Sequence, residues 1–224
     1  MIGRDDPTKR ARTVLRATTL LASAVVATFL GIAAFQIAGP LLGATDTVTD
    51  MAGHQVSVDD DQKPTSEHVA DSDVMTGSGT RLRVPSVDLN VPLDSLNAIG
   101  GEVIPPGFTS AYVVRNIGVP LQDAATGTVF VVMHSIRGDG VGPGDYLIDP
   151  AKHEATVRPG TAIEIGDQKY TVTSTHATLK TKLAMEASTW ANVPNRLVLI
   201  TCLQKASGTP STENMVIMAT RVTS

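Results

Sequence analysis

A continuous apolar run that ends at the only cysteine of the chain is the feature that most constrains the fold. Residues 197–201 read LVLIT, and Cys202 follows them directly. A run of aliphatic and β-branched residues predicts a buried strand, and the Val193-Pro194-Asn195 stretch before it predicts a turn. Such a strand would hold the thiol at its C-terminal end. A free cysteine is more often a small buried hydrophobe than a reactive group, so this position alone leaves a structural role open.

Strand signals dominate residues 80–224. The predicted strands are short and are separated by turns rich in glycine and proline; they cover residues 81–84, 87–93, 111–116, 128–133, 161–165, 169–175, 197–202 and 215–222. The turn at residues 166–168 predicts a hairpin between its two neighbours. Residues 183–190 form the one predicted helix. Closely spaced short strands with almost no helix predict an all-β fold, either a closed or nearly closed barrel or a sandwich.

The beginning of the chain predicts a membrane anchor. Residues 1–16 contain five basic side chains, whereas the 23 residues 17–39 contain no charge. As a helix the uncharged run would be about 34 Å long, and a bilayer core needs about 30 Å. The apolar part of a secretory signal has only about 7–15 residues, so an uncleaved transmembrane helix is favoured over a signal peptide or a long buried helix. The basic residues predict a cytoplasmic N-terminus, with everything after the anchor outside the cell.

Residues 40–79 have the composition of a solvated linker. They hold eight acidic residues and a single base, Lys63, without a sustained hydrophobic period. This composition predicts an acidic, flexible segment that lets the following domain reach away from the membrane. Docking of the segment on the domain, with inhibition as its result, is the less favoured alternative. The predicted organisation is therefore a basic cytoplasmic N-terminus (1–16), an anchor (17–39), a linker (40–79) and a folded domain (80–224).

Composition also excludes several classes of function. A net charge of −4 argues against nucleic-acid binding. One cysteine excludes an intramolecular disulfide and a multi-cysteine metal site. Residues 80–224 contain no convergent acidic cluster, so we expect neither a metal nor another cofactor.

A histidine occupies the matching position on a second apolar strand. Residues 128–133 read TVFVVM, and His134 follows them as Cys202 follows residues 197–201. A thiol nucleophile needs a base to form its thiolate. If the two strands are neighbours that run in the same direction, both side chains emerge at one end of the sheet. Of the other histidines, only His176, near a predicted strand end, remains ambiguous.

These features together resemble the sortases, the membrane-anchored cysteine transpeptidases of Gram-positive bacteria. The LITC sequence at residues 199–202 fits the TLxTC type of strand end, with Val198 in place of the first threonine. Residues 81–93 (RLRVPSVDLNVPL) and the RPGT turn at residues 158–161 are also similar to sortase sequences. The resemblance covers about residues 80–224. The layout is closer to actinobacterial classes E and F than to class C, and residues 40–79 contain no aromatic lid motif of the class C kind.

The resemblance implies a fold, a reaction and partners. The fold is a closed sortase-type β-barrel with one or two short helices, preceded by a single N-terminal transmembrane helix. Cys202 attacks the Thr–Gly carbonyl of an LPXTG-like sorting signal on a surface protein and forms an acyl-enzyme. His134 then protonates the leaving amine and deprotonates the incoming one, which comes from a peptidoglycan precursor or a pilin lysine. Apolar side chains of the predicted helix, Leu183, Met185 and Trp190, would line the signal groove.

The sequence departs from the family at the residue that assists the oxyanion. Sortases carry an arginine shortly after the cysteine, but residues 203–217 contain none. Asn214 falls where the arginine is common, and asparagine is a known type of oxyanion donor. Lys205 could supply charge from the loop, whereas Arg221 is seven residues beyond Asn214, an odd offset that points it to the opposite face of a strand.

Two other functions remain compatible with these residues. The missing arginine favours a catalytically weak or silent sortase-like domain that only binds peptides. A thiol hydrolase on the same scaffold would differ only in whether water outcompetes the amine.

Overall fold

The computed structural model describes residues 47–223, which form twelve strands, three short α-helices and four short 3-10 helices. The strands and α-helices are β1 (Thr47–Thr49), β2 (Gln55–Ser57), α1 (Ser66–Asp71), β3 (Arg81–Val84), β4 (Leu89–Leu96), β5 (Ala111–Val114), β6 (Thr128–Val132), β7 (Ile148–Asp149), β8 (Glu154–Ala155), β9 (Ala162–Ile165), β10 (Gln168–Leu179), α2 (Lys180–Leu183), α3 (Ala187–Trp190), β11 (Arg196–Leu203) and β12 (Glu213–Arg221).

Eight of the strands close into a barrel, in the order β10-β12-β11-β6-β5-β4-β3-β9, with β9 pairing back onto β10. Neighbours are antiparallel except for two parallel pairs, β4 with β5 and β6 with β11. The predicted all-β closed barrel with few short helices is thus confirmed. Full closure leaves no barrel strand with an unpaired edge, which is a common way for all-β proteins to avoid edge-to-edge association.

The apolar runs of β6 and β11 are continuous because both of their faces are buried. Val131 and Leu199 point into the barrel interior, a cluster to which all eight barrel strands contribute. Their neighbours Val132 and Ile200 join a second cluster on the outer face, which Trp190 covers. Since side chains alternate along a strand, burial on both faces requires an unbroken apolar sequence.

The predicted helix over residues 183–190 is wrong in extent. Strand β10 continues to Leu179, and two single-turn helices, α2 and α3, follow it with a break between them. The Glu186 side chain stabilises the break, because its carboxylate accepts hydrogen bonds from the hydroxyl groups of Thr178 and Thr189. A single carboxylate that binds both β10 and α3 favours a folded-back turn over one continuous helix.

The described part of the predicted flexible linker, residues 47–79, is folded against the barrel. It forms the β1–β2 hairpin and the helix α1, which Thr65 caps by accepting a hydrogen bond from the His68 backbone N–H. A small apolar cluster explains why the segment folds. Val58 packs there with Phe108 and Ile136 of the barrel loops. A few separated valines provide this contact without the hydrophobic period on which the sequence prediction relied.

The predicted transmembrane helix at residues 17–39 lies outside the described residues, as do the predicted cytoplasmic segment 1–16 and residues 40–46. Among residues 47–223, no helix has the length and apolar character that crossing a membrane requires.

Candidate active site

The parallel pairing of β6 with β11 brings His134 and Cys202 to the same edge of the barrel. Val132 pairs with Ile200 at the last step of this register. His134 comes two residues after Val132, and Cys202 comes two residues after Ile200. Parallel neighbours deliver their C-terminal ends to one edge of a sheet. The two strands are therefore neighbours that run in the same direction, which is the condition under which the sequence placed both side chains at one end of the sheet.

Both side chains line one cavity of about 520 Å³, on the outer face of the barrel. Three consecutive residues of each segment, 132–134 and 200–202, form part of its wall. Asn214 lines the same cavity. All three predicted site residues thus share one space.

His134 is held by a carbonyl and an aromatic ring. Its Nε2 lies 2.8 Å from the carbonyl oxygen of Pro105, and the Phe108 ring stacks on it at 4.2 Å and 14°. A carbonyl oxygen only accepts, so Nε2 carries the hydrogen and Nδ1 carries the lone pair. Burial lowers the pKa of His134 to about 4, against a smaller raising effect of the Pro105 carbonyl. The ring is therefore neutral at pH 7 and available as a base.

The Cys202 thiol is protonated in this structure. Burial raises its pKa to about 11; the positive charge of Lys180 acts in the lowering direction, whereas the carboxylates of Asp61 and Asp59 raise it further. The Nε2 group of Gln62 donates a hydrogen bond to Sγ over 3.4 Å. Among the hydrogen bonds of the described residues, none joins Sγ to the His134 ring. The site is thus in a resting state, with a neutral thiol and a neutral imidazole.

A short turn of the N-terminal segment covers the thiol. We call this turn, Asp59–Gln62, the strap. Gln62 is buried and donates a second hydrogen bond to the Ser135 carbonyl over 2.9 Å. At the other end of the strap, the Asp59 carboxylate accepts from the Ser211 backbone N–H over 3.0 Å and lies 3.4 Å from Arg137. The strap is therefore attached to the rest of the protein at both of its ends.

Polar groups directly behind the site join the ends of the two strands. The Ser135 hydroxyl donates to the carbonyl of Cys202 over 2.6 Å. The Gln204 amide donates to the carbonyl of Ser135 over 2.9 Å and lies 3.2 Å from its hydroxyl. Neither residue was predicted from the sequence. The position of Ser135 directly after a histidine that ends an apolar strand was the only available signal.

Asn214 lies directly opposite Cys202 in the β11–β12 register. Directly opposite residues of an antiparallel pair project to the same face of a sheet, which places the amide beside the thiol. Arg221 pairs with Tyr170 at the other end of β12 and is far along the strand from this position. Lys205 lies beyond the end of β11 and does not line the cavity.

The sequence reasoning missed a cation in the cavity. Lys180 lines it together with Cys202 and His134, and its Nζ group is 2.7 Å from the Asp61 carboxylate of the strap. The residue stands at the junction of β10 and α2. No short motif marks this junction, because pairing with β12 extends β10 beyond its predicted end.

Leu183 and Trp190 form an apolar side of the cavity, as predicted. The Trp190 indole donates to the Leu183 carbonyl over 2.8 Å, and its ring lies 5.1 Å from that of Phe130. Met185 was also predicted to line the groove, but its side chain is in solvent, with 75% of its surface exposed. The break between α2 and α3 turns Met185 outward, and the prediction for it is wrong.

The remaining histidines lie outside this cavity. His176 pairs with Glu186 at 3.1 Å, and His153 pairs with Glu213 at 3.0 Å. Within residues 47–223, no group of three or more histidine, cysteine or acidic side chains is arranged to hold a metal ion.

No protein-family model matches the chain, and no curated protein matches it. Many solved structures are similar to it. Sortase A of Listeria monocytogenes is 23% identical, with 64% of this chain and 86% of that chain covered and a TM-score of 0.44. A lid mutant of sortase A from Corynebacterium diphtheriae is 17% identical, with 65% and 70% covered and a TM-score of 0.46. Sortase C-1 of Actinomyces oris is 14% identical, with 65% and 73% covered and a TM-score of 0.46.

These similarities concern the fold. Sortases of classes A, C and D all occur among them, so the predicted class E or F is not resolved. Identities of this size assign no role to any residue.

Proposed function

We propose that this protein is a sortase-type cysteine transpeptidase, in which Cys202 is the nucleophile and His134 is the general acid and base. The observation that carries the proposal is the parallel pairing of β6 with β11, which delivers a thiol and a neutral imidazole to one cavity. Rigid strands support both groups, which suits a site that must hold reacting atoms in a fixed geometry. Asn214, opposite Cys202, is positioned to donate to an oxyanion.

In the first half of the reaction the thiol is acylated. The thiol proton moves to Nδ1 of His134, and the thiolate forms a C–S bond with the carbonyl carbon of the scissile Thr–Gly bond. The electron pair of the carbonyl moves to its oxygen, where the Asn214 amide donates a hydrogen bond. The oxyanion then collapses, the C–N bond breaks, and His134 returns the proton to the leaving amine.

In the second half the acyl group leaves the enzyme. An incoming amine attacks the thioester carbon and passes a proton to His134. The C–S bond breaks, and the departing thiolate takes that proton back. The products are a new amide and the original neutral pair of thiol and imidazole.

The proposed substrates follow from the shape of the cavity and from the resemblance noted above. Leu183 and Trp190 offer an apolar surface for the leucine and proline of an LPXTG-like signal. The signals would be at the C-termini of surface proteins, and the accepting amine would come from a peptidoglycan precursor or a pilin. The predicted anchor at residues 17–39 would contact membrane lipid and place the domain at the outer face of the membrane of a Gram-positive cell, as a class E or F enzyme.

We expect the strap to move when a peptide binds, because its residue Gln62 donates a hydrogen bond to Sγ and covers part of the thiol. Its attachments are a few hydrogen bonds and ion pairs, each worth about 0.5–3 kcal/mol. Binding of a peptide in the cavity can offset a cost of this size. Displacement of the strap also relieves the burial that raises the pKa of Cys202.

The direct test is cleavage by the full-length chain. A panel of LPXTG-type peptides is incubated with the protein and hydroxylamine, which traps the acyl group as a hydroxamate. We expect hydroxamate from at least one peptide, and none from the Cys202→Ala or His134→Ala variants. A folded protein that cleaves no peptide of the panel would contradict the proposal.

A second function, a peptide-binding domain without catalysis, is favoured by one observation. Gln62 of the strap donates a hydrogen bond to Sγ of Cys202, whereas no hydrogen bond among the described residues joins Sγ to the His134 ring. This second function predicts that peptides of the panel bind but are not cleaved even when the strap contacts are removed. The thiol hydrolase is distinguished by its product. In the presence of an added amine, a hydrolase still releases a free carboxylate, whereas a transpeptidase forms an amide.

A further inference from the structure

Lys180 is the only lysine or arginine among the described residues that line the cavity. A row of cross-strand pairs relates it to the nucleophile: Cys202 pairs with Asn214, and Asn214 pairs with Thr178 on β10. Lys180 follows Thr178 by two residues, and its backbone N–H donates to the Thr212 carbonyl over 3.0 Å. The hydrogen bond fixes the backbone of Lys180 next to the start of β12. Its long side chain can therefore reach the space in front of the thiol.

The Lys180 side chain is mostly covered, with 21% of its surface exposed. Burial would lower its pKa, but the negative charge that Cys202 gains as a thiolate, together with the Asp61 and Asp59 carboxylates, outweighs burial and raises it. The Lys180 charge lowers the pKa of the thiol more than any other group does, although burial has the larger, opposite effect. The ammonium is thus charged at neutral pH and acts electrostatically on the reacting sulfur.

The strap holds this ammonium in the resting structure. Asp61 binds Nζ at 2.7 Å, while the next residue, Gln62, binds Sγ of Cys202. One short turn therefore contacts both the cation and the nucleophile. Displacement of the strap frees the two groups together.

Two other cations do not compete for this role, because one pairs with a different carboxylate and the other lies far from the thiol. Arg137 lies 3.4 Å from the Asp59 carboxylate, and Arg221 is at the opposite end of β12. Asn214 offers only a neutral amide dipole. An acyl transfer through a tetrahedral intermediate concentrates negative charge on one oxygen, and a cation in a water-poor site stabilises that charge more than a neutral donor does.

We propose that Lys180 is a further catalytic residue, whose ammonium leaves Asp61 and donates a hydrogen bond to the scissile carbonyl oxygen as that oxygen becomes negative. The assignment rests on the proposed transpeptidase function. In the acylation step the electron pair of the C=O bond moves to oxygen, Lys180 and Asn214 donate to it, and the pair returns when the C–N bond breaks. Lys180 keeps its proton throughout, so proton transfer remains with His134.

The test compares three variants of the full-length chain. Lys180→Met removes the charge, Lys180→Arg retains it, and Lys182→Met is the matched control, since Lys182 is an exposed lysine on the same helix that does not line the cavity. The cleavage rate of an LPXTG-type peptide is measured with hydroxylamine. We expect Lys180→Met to lower kcat by about 100- to 1,000-fold with a small change in KM. Lys180→Arg retains part of the activity, and Lys182→Met matches the parent.

A second measurement keeps the inference separate from the proposed function. The pH dependence of Cys202 alkylation by iodoacetamide reports the thiol directly, without a peptide. We expect the apparent pKa of the thiol to rise in Lys180→Met and to stay unchanged in Lys182→Met, because only Lys180 acts on the sulfur. If no peptide is cleaved but this shift occurs, the transpeptidase proposal fails while the electrostatic link stands. A folded Lys180→Met variant with the parent kcat would overturn the assignment of Lys180.

Discussion

Gln62 donates a hydrogen bond to Sγ of Cys202 over 3.4 Å, across 140 positions of the sequence. The same amide group donates to the carbonyl of Ser135, the residue after His134. One buried side chain from the N-terminal segment therefore joins the ends of both strands that carry the proposed reacting groups. The chain itself therefore covers part of the thiol in this structure.

The first prediction concerns this contact. Gln62→Ala removes the amide that covers the thiol, so iodoacetamide should alkylate Cys202 faster at a fixed pH of 8. We expect an increase of about tenfold, because the gain in access to the thiol and the loss of burial outweigh the loss of a hydrogen bond that lowers its pKa. Alkylation is followed by mass spectrometry of the intact protein.

Gln122→Ala is the matched control, because Gln122 is exposed and does not line the cavity. The control should react at the parent rate. Equal rates for Gln62→Ala and the parent would show that the strap does not limit access to the thiol.

The second prediction concerns pH. Burial raises the pKa of Cys202 to about 11, so the alkylation rate of the parent should increase about tenfold per pH unit between pH 7 and pH 10. Asp61 raises this pKa further, and its removal should lower it. Asp61→Asn should therefore shift the rate profile to lower pH.

Asp60→Asn is the control for this shift, because the Asp60 side chain is fully exposed and does not line the cavity. It removes the same charge from the same turn. A profile that shifts equally in both variants would assign the effect to net charge instead of to the contact of Asp61 with the site.

The third prediction concerns the histidine. Burial lowers the pKa of His134 to about 4 from 6.5, and part of this burial comes from the stacked Phe108 ring. Phe108→Ala should raise the pKa toward 6.5, as measured by NMR titration of the ring protons. A lowered pKa means that the folded state disfavours the charged ring. The contribution of His134 to stability should therefore become less favourable as the pH falls from 6.5 toward 4, and the difference in stability between Phe108→Ala and the parent should shift in favour of Phe108→Ala over that interval.

Tyr146→Ala is a comparison variant for the third prediction, because it removes a partly buried aromatic ring elsewhere in the chain. The His134 pKa should not change in it. An unchanged pKa in Phe108→Ala would mean that the ring does not contribute to the burial of His134.

The fourth prediction concerns the link behind the site. Ser135→Ala leaves the carbonyl of Cys202 without its 2.6 Å hydrogen bond, which should lower the free energy of unfolding by about 1–3 kcal/mol. The bond also fixes the backbone of the nucleophile, so kcat for peptide cleavage should fall more than KM rises. Denaturant unfolding and peptide kinetics measure the two effects.

Ser207→Ala, in the exposed loop after β11, should change neither quantity. Ser135→Thr retains the hydroxyl and should recover part of kcat. A Ser135→Ala variant that is destabilised but has the parent kcat would limit this residue to a structural role.

The two proposed reacting residues could be predicted from the sequence because each directly follows an apolar run that belongs to a strand buried on both faces. Burial of this kind requires an unbroken apolar run, and the ends of such runs are visible in the sequence. His134 directly follows the apolar run 128–133, and Cys202 directly follows the apolar run 197–201. Their positions therefore depend only on the local sequence pattern.

The rest of the site depends on tertiary contacts that leave no periodic signal. Lys180 reaches the cavity because β10 is extended by its pairing with β12, and the predicted strand ended earlier, at residue 175. Gln62 belongs to a polar, acidic segment whose composition predicts a linker. The folded conformation of this segment depends on Val58 and on a few buried polar groups. One of them is Asp50, whose carboxylate accepts a hydrogen bond from the Val141 backbone N–H over 3.1 Å.

The most direct test of the central claim is the detection of an acyl-enzyme at Cys202. The full-length chain is incubated briefly with an LPXTG-type peptide, quenched in acid and examined by intact-protein and peptide mass spectrometry. We predict an adduct of the mass of the acyl fragment on Cys202 that is larger in Gln62→Ala, disappears on addition of hydroxylamine and is absent in Cys202→Ala. A Gln62→Ala variant that iodoacetamide alkylates at Cys202 but that forms no adduct with any peptide of the panel would contradict the account.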